Sequence, residues 1–469
     1  MSVSLPEPFS LEEFIPGRFE AKHEIILGGK TVSFRSVCED FVFRSPDGGA
    51  EASLFAISYL AETEEKCRPV MFLWNGGPGS ATSTLHLECF GPWLIETDAQ
   101  GKPKYGLREN PHCLLDQCDL VFVDPVGVGL SRLLKEEKAG KYYSVDGDAR
   151  SVAFLIIEWL RRHGRWNSPI YLTGESYGTV RACRVIAELG RSPYSESRMV
   201  PGIPVRGVAL IGWAAGESGQ PLALSMMPAM AATHWYHMEE KPCGQQAFVD
   251  AACDFARREL LPALYDGDDL PEEEKKSLAE KMETYTGVSR DYFLETGLLL
   301  RSAGDFQRRA LPGYTLDLYD ARLKTPANET YRILGGDNVP IQVMNGLLLP
   351  RLGVNTGRLY YTGNINVNLM FQMDTEDVGE YKRTNMECLK DGMERTPDMR
   401  LLFASGLYDL CTHAGNTRYM VSHAGLPRDR VTVREYPGGH GVYSTKEGKE
   451  AFLSDVRRML KKEGAGAHA

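Results

Sequence analysis

Six short, nearly continuous apolar runs stand out along the chain: VMFLW (70–74), LVFVD (120–124), PIYLTG (169–174), VRGVALIG (205–212), MRLLFASG (399–406) and RVTVREYPG (430–438). Strands buried on both faces read this way. Between several of them lie amphipathic patterns of helical period, DARSVAFLIIEWLRRHG (148–164), TVRACRVIAELG (179–190) and KEGKEAFLSDVRRMLKK (446–462). Alternating strand and helix predicts an α/β domain with a mostly parallel sheet. From about residue 20 to 60 the pattern changes. Apolar and polar positions alternate there, with GG and DGG marking turns, which predicts an antiparallel meander at the start of the same sheet. Between Gly212 and Met399 buried-strand signals are scarce. QQAFVDAACDFARRELLPAL and LPEEEKKSLAEKMETYTG are rich in helix formers. The pattern therefore divides the chain into 1–212, the first part of the α/β domain, 213–398, a mainly helical cap insertion, and 399–469, the rest of the α/β domain.

Composition narrows the picture. The 469 residues are 43% hydrophobic and 25% charged, the balance of a globular chain with a full core. A formal net charge of -10 leaves no basic excess to neutralise phosphates, so no nucleic-acid partner is expected. No apolar run is long enough to span a bilayer, so no membrane partner is expected either. MSVSLPEPFSLEEF carries acids and prolines where a secretory signal has basic and then apolar residues. Read as it stands, this places the chain in the cytoplasm, and a chain from which a signal had been cut would be secreted. Ten cysteines are scattered without a C-x-x-C pair, which fits reduced, packed thiols rather than zinc ligands or a dense disulfide scaffold. His234 and His237 share one helical face but lack a third ligand, and Asn328-Glu-Thr is a glycosylation acceptor only in a secreted chain.

The chemistry begins at TGESYG (173–178), where PIYLT meets a helical pattern. G-x-S-x-G between a strand and a helix is the nucleophile elbow: glycines let strand and helix approach, and Ser176 is held out at the carboxyl edge of the sheet. A serine needs a base, and the base an orienting acid, each at the end of a later strand. MRLLFASG is followed by Asp409 and RVTVREYPGG by His440, the latter in a glycine-flanked loop. WNGGPGS (74–80) caps an early strand, and its Gly76-Gly77 pair can present backbone N–H groups to a ligand, as half of an oxyanion hole would require.

WNGGPGS, DPVGVGLS (124–131), GESYG (174–178), GLYDLCTHAGN (406–416) and the late GGH follow one another in the order found in serine carboxypeptidases, which the chain resembles from about residue 25 to 462. The resemblance implies an α/β-hydrolase fold and a catalytic triad of Ser176, Asp409 and His440. It also implies an oxyanion hole from the N–H groups of Gly77 and Tyr177, and no cofactor. The substrate implied is a peptide with a free C-terminus, its carboxylate bound by Trp74, Asn75, Gly76, Glu175 and a second glutamate. Glu88 lies near the place of that second glutamate, one residue too far from the GP that follows. A carboxyl group can bind a carboxylate only through a shared proton, which predicts a preference for mildly acidic pH.

Departures from the family are Ser80 in place of a cysteine, so that the disulfide made there is absent, and Gly441-Val442-Tyr443 after the histidine where the family carries a Met. The latter opens the first substrate pocket or shifts it to the tyrosine. Cys411 resembles a cysteine the family has near the site and is read as packing. Two other functions remain open at this level: an esterase or acyltransferase on the same triad, and a non-catalytic scaffold whose cap binds a partner.

Overall fold

The computed structural model describes residues 14–65, 67–98, 101–190, 202–216, 219–329, 338–373 and 383–461. The acidic N-terminal stretch lies outside them, Phe14 excepted. The strands are β1 (Arg18–Leu27), β2 (Lys30–Arg44), β3 (Ala50–Ala61), β4 (Val70–Trp74), β5 (Trp93–Thr97), β6 (Pro103–Glu109) and β7 (Asp119–Asp124). They continue with β8 (Arg132–Leu133), β9 (Ile170–Glu175), β10 (Val205–Ile211), β11 (Tyr314–Leu316), β12 (Lys324–Pro326), β13 (Arg400–Gly406) and β14 (Val431–Tyr436).

One sheet runs β1-β2-β3-β7-β4-β9-β10-β13-β14, with β8 pairing β3, while β5–β6 and β11–β12 form separate antiparallel pairs. Strands β1, β2, β3 and β7 pair antiparallel. From β7 through β4, β9, β10, β13 and β14 every pairing is parallel. Those six parallel strands are the six apolar runs of the sequence.

Their continuity has a direct cause: both faces are covered. Val70, Phe72 and Trp74 of β4 point into one apolar cluster, and Met71 and Leu73 into another across the sheet. Strand β13 divides in the same way, Leu401 and Phe403 against Leu402 and Ala404. Helices Val145–Arg162 and Tyr177–Leu189 cover the first face, and Lys446–Leu460 the second. The first begins three residues before the pattern predicts, because Ser144 caps it by accepting the Gly147 N–H at 3.2 Å.

Between β10 and β13 lie helices including Leu222–His237, Gln245–Phe255, Glu272–Thr286, Ala303–Arg309 and Asn385–Arg395, and a third apolar cluster built on Met226, Met230, Phe248, Met282 and Phe293. The stretch QQAFVDAACDFARRELLPAL is not one α-helix. It passes through a π-helical turn at Ala256–Leu260 before Leu261–Asp266, where Pro262 lacks the N–H that a continuous ladder would use. No helix among the described residues is long and apolar enough to cross a membrane.

Candidate active site

Strand β9 ends at Glu175, and the helix Tyr177–Leu189 starts directly after Ser176. Ser176 sits at φ 58°, ψ −127°, a backbone region that side chains rarely adopt and that gathers at functional sites. Its N–H is tied to Ile211 O of β10 at 2.8 Å. The neighbouring glycines are sterically required. A Cβ on Gly174 would lie 2.1 Å from Gly178 O, and one on Gly76 would lie 2.5 Å from Tyr177 N. The WNGGPGS loop therefore rests on the elbow, with the Gly76 backbone against the first N–H of the serine's helix. Trp74 is wholly buried beneath them and gives its indole N–H to Gly178 O at 2.8 Å. This corrects its expected place among the carboxylate binders: Trp74 is a strut under the elbow, with no donor left for a ligand.

Asp409, fully buried, follows β13, and His440 follows β14. Asp409 Oδ2 lies 2.8 Å from His440 Nδ1 and accepts the Thr412 hydroxyl at 2.5 Å; Oδ1 accepts the N–H groups of Cys411 and Thr412 at 2.8 and 3.0 Å. Burial opposes the charge on Asp409, but the imidazolium and these donors outweigh it and hold the carboxyl below its ordinary range. Burial likewise opposes a charged His440, yet the Asp409 carboxylate, with Glu175 behind it, raises its proton affinity. The His440 backbone N–H is anchored on Tyr319 O at 2.6 Å. Its ring packs on the end of β10, where a Cβ on Gly212 would lie 3.1 Å from Cε1. Ser176 and the imidazole thus flank the end of one strand. Among the described residues Ser176 Oγ has no hydrogen bond to the imidazole, and bonds of this kind often tighten only with substrate in place.

Beside the serine, Glu175 is buried and both its oxygens are engaged. Oε1 accepts Asn75 Nδ2 at 2.9 Å, and Oε2 accepts the Tyr443 hydroxyl. The Asn75 amide cannot be turned the other way, since its Oδ1 already accepts the Leu85 N–H at 3.0 Å. Glu88 lies in a π-helical turn, Leu85–Phe90. From there its charge interacts with that of Glu175. Burial first, and then the charge of Glu175, push the Glu88 carboxyl up to about 7; burial also raises Glu175.

The sequence gives no hint of Arg181 and names Tyr443 only as a pocket residue. Arg181, on the serine's helix, is almost fully buried. It donates to Asp148 Oδ2 and to the backbone carbonyl of Asn75, each at 2.7 Å. In a trans peptide C=O and N–H point opposite ways, so holding the Asn75 carbonyl inward turns the Gly76 N–H outward. Tyr443, expected to border an open pocket, is instead buried and bonded to Glu175. Cys411 is exposed, which corrects its reading as a packed residue, and all ten cysteines are unpaired. His237 bonds Ala321 O at 2.8 Å, and no group of three or more metal-ligating side chains occurs among the described residues.

The serine carboxypeptidase family model matches residues 44–250, which include WNGGPGS, DPVGVGLS and the elbow but not Asp409 or His440. No curated protein matches the chain. Among solved structures the chain is similar to Kex1(delta)p, a prohormone-processing carboxypeptidase from Saccharomyces cerevisiae. The two are 13% identical, with 90% of this chain and 91% of that one covered and a TM-score of 0.52. The peroxisomal α/β-hydrolase Lpx1 from the same yeast is 10% identical, with 97% and 92% covered and a TM-score of 0.38. The chain has the α/β-hydrolase fold, and the resemblance read from its motifs stands: residues 44–250 match the serine carboxypeptidase family.

Proposed function

We propose that the protein is a serine carboxypeptidase. Ser176 Oγ attacks the carbonyl of the last peptide bond while His440 Nε2 takes its proton. Asp409 holds Nδ1, and the N–H groups of Gly77 and Tyr177 receive the developing oxyanion. His440 then protonates the departing amine, and water releases the shortened peptide from the acyl-enzyme by the same steps in reverse order. The carboxylate of the departing residue lies against Asn75, the Gly76 N–H and the Glu88–Glu175 pair.

One observation carries the choice of a free C-terminus over a simple ester: a buried carboxyl next to the nucleophile, fixed by Asn75 and electrostatically coupled to a second carboxyl. A carboxyl keeps its proton more readily when a second negative charge stands near it, and a protonated carboxyl is what a substrate carboxylate needs. Glu88 holds its proton up to about pH 7, so binding of a free C-terminus should be strong at pH 5 and fade as pH rises past neutrality. Acylation sets the opposite limit, because His440 must give up the proton that Asp409 and Glu175 help it hold before it can act as base.

The test is mass-spectrometric digestion of a mixed peptide set at pH 5 and pH 8, with Ser176→Ala beside it. We expect loss of single C-terminal residues, with selectivity for free over amidated C-termini greater at pH 5 than at pH 8, and a fall of roughly 10⁴-fold or more in the variant. Absence of trimming at both pH values, with Ser176 still labelled by a fluorophosphonate, would direct the triad to another acyl substrate.

A further inference from the structure

Tyr443 joins two parts of the site that come from distant stretches of chain. It lies three residues after His440, on the loop that carries the base, and its hydroxyl reaches the carboxyl adjacent to the nucleophile. Phenol and amide approach Glu175 from opposite oxygens, and the amide's orientation is fixed by Leu85. Burial raises the proton affinity of Glu175, and these two donors act against it by favouring the ionised form. Glu88 differs: among the described residues its carboxyl makes no hydrogen bond. The charged and titratable groups around the pair are few. Glu88 comes from the π-helical turn, the charges of Asp409 and His440 act on Glu175, and Lys449 of the helix Lys446–Leu460 and Cys89 interact with Glu88.

We propose that Tyr443 is a positioning residue that decides where the proton of the carboxyl pair resides: its hydroxyl holds Glu175 ionised and leaves the proton on Glu88. This rests on the carboxypeptidase reading for its use, though not for its existence. Glu88 is then the O–H donor available to an incoming carboxylate. Burial and the charge of Glu175 act together to keep that donor protonated near neutrality. The same hydrogen bond ties the base loop to the elbow.

The experiment titrates the carboxyls by NMR in protein labelled with 13C at glutamate Cδ, using wild type, Tyr443→Phe and Glu88→Gln. Removing the phenol withdraws a donor from ionised Glu175, so the pair should bind its proton more tightly. The highest-titrating carboxyl should move up by about half a pH unit or more in Tyr443→Phe, and its signal should vanish in Glu88→Gln. An unchanged titration in Tyr443→Phe, or a persistent highest carboxyl in Glu88→Gln, would overturn the proposal.

Should Tyr443→Phe fail to fold, 3-fluorotyrosine at position 443, a stronger donor, should shift the titration the other way. In parallel, the alkaline limb of kcat/KM for peptides with a free C-terminus should follow the carboxyl upward in Tyr443→Phe. A titration that shifts in a protein that trims no peptide would refute the carboxypeptidase reading and leave the role of Tyr443 standing.

Discussion

At the scale of single residues, the site depends on groups whose partners are specified almost completely. Arg181 shows what this costs. Its guanidinium and Asp148 are both buried, and the arginine also carries the Asn75 carbonyl. Replacing it by methionine leaves a buried carboxylate without its cation, and breaking such a pair costs about 3–5 kcal/mol. Arg181→Met should therefore lower the urea midpoint substantially. Its remaining folded fraction should lose selectivity for free over amidated C-termini, because the Gly76 N–H is no longer aimed. A variant with the stability and selectivity of wild type would refute both roles. Ser176, Asp409 and His440 were legible in the sequence because a triad must stand at strand ends in a set order. Arg181 was not, since an arginine inside an amphipathic helix looks ordinary until the contacts across the fold are known, and Tyr443 stood out only as a residue of the pocket, because its bond to Glu175 joins distant stretches of chain.

At the scale of elements, the elbow is a strand, one strained residue and a helix packed closer than side chains allow. The tightest point is Gly174, whose Cβ would fall 2.1 Å from Gly178 O, a backbone atom that cannot rotate away. Gly174→Ala should force strand and helix apart and lower the melting temperature by several degrees. Gly202→Ala, which meets nothing within 4 Å, should leave it unchanged. Equal melting temperatures for the two would show that the elbow has slack. The six buried strands could be read from the sequence because burial on both faces removes polar positions from them. The π-helical turns at Leu85–Phe90 and Ala256–Leu260 could not, since one additional residue in a turn leaves no compositional mark.

At the scale of the whole molecule, late segments fold back to complete early ones. Arg358 reaches Asp40 of β2 with bonds of 2.8 and 2.6 Å, joining positions far apart in the chain. Asp40 is buried, and Ser53 and the Gly17 N–H are its other donors. Arg358→Ala should lower the melting temperature while kcat changes little, because this clamp lies at the antiparallel side of the sheet, away from the serine. A large loss of kcat with stability intact would contradict that placement. Residues 361–372 bridge the edges of the site loops in turn, Tyr361 to Gly129, Gly363 to Ser80 and Gln372 to Ser144. The acid and the base follow the last two strands laid against the sheet, β13 and β14. Because a ribosome delivers the chain from its first residue onward, the serine is made and can pack long before its base exists. A hydrolase built in this order cannot assemble its site until the segments that carry Asp409 and His440 have been synthesised.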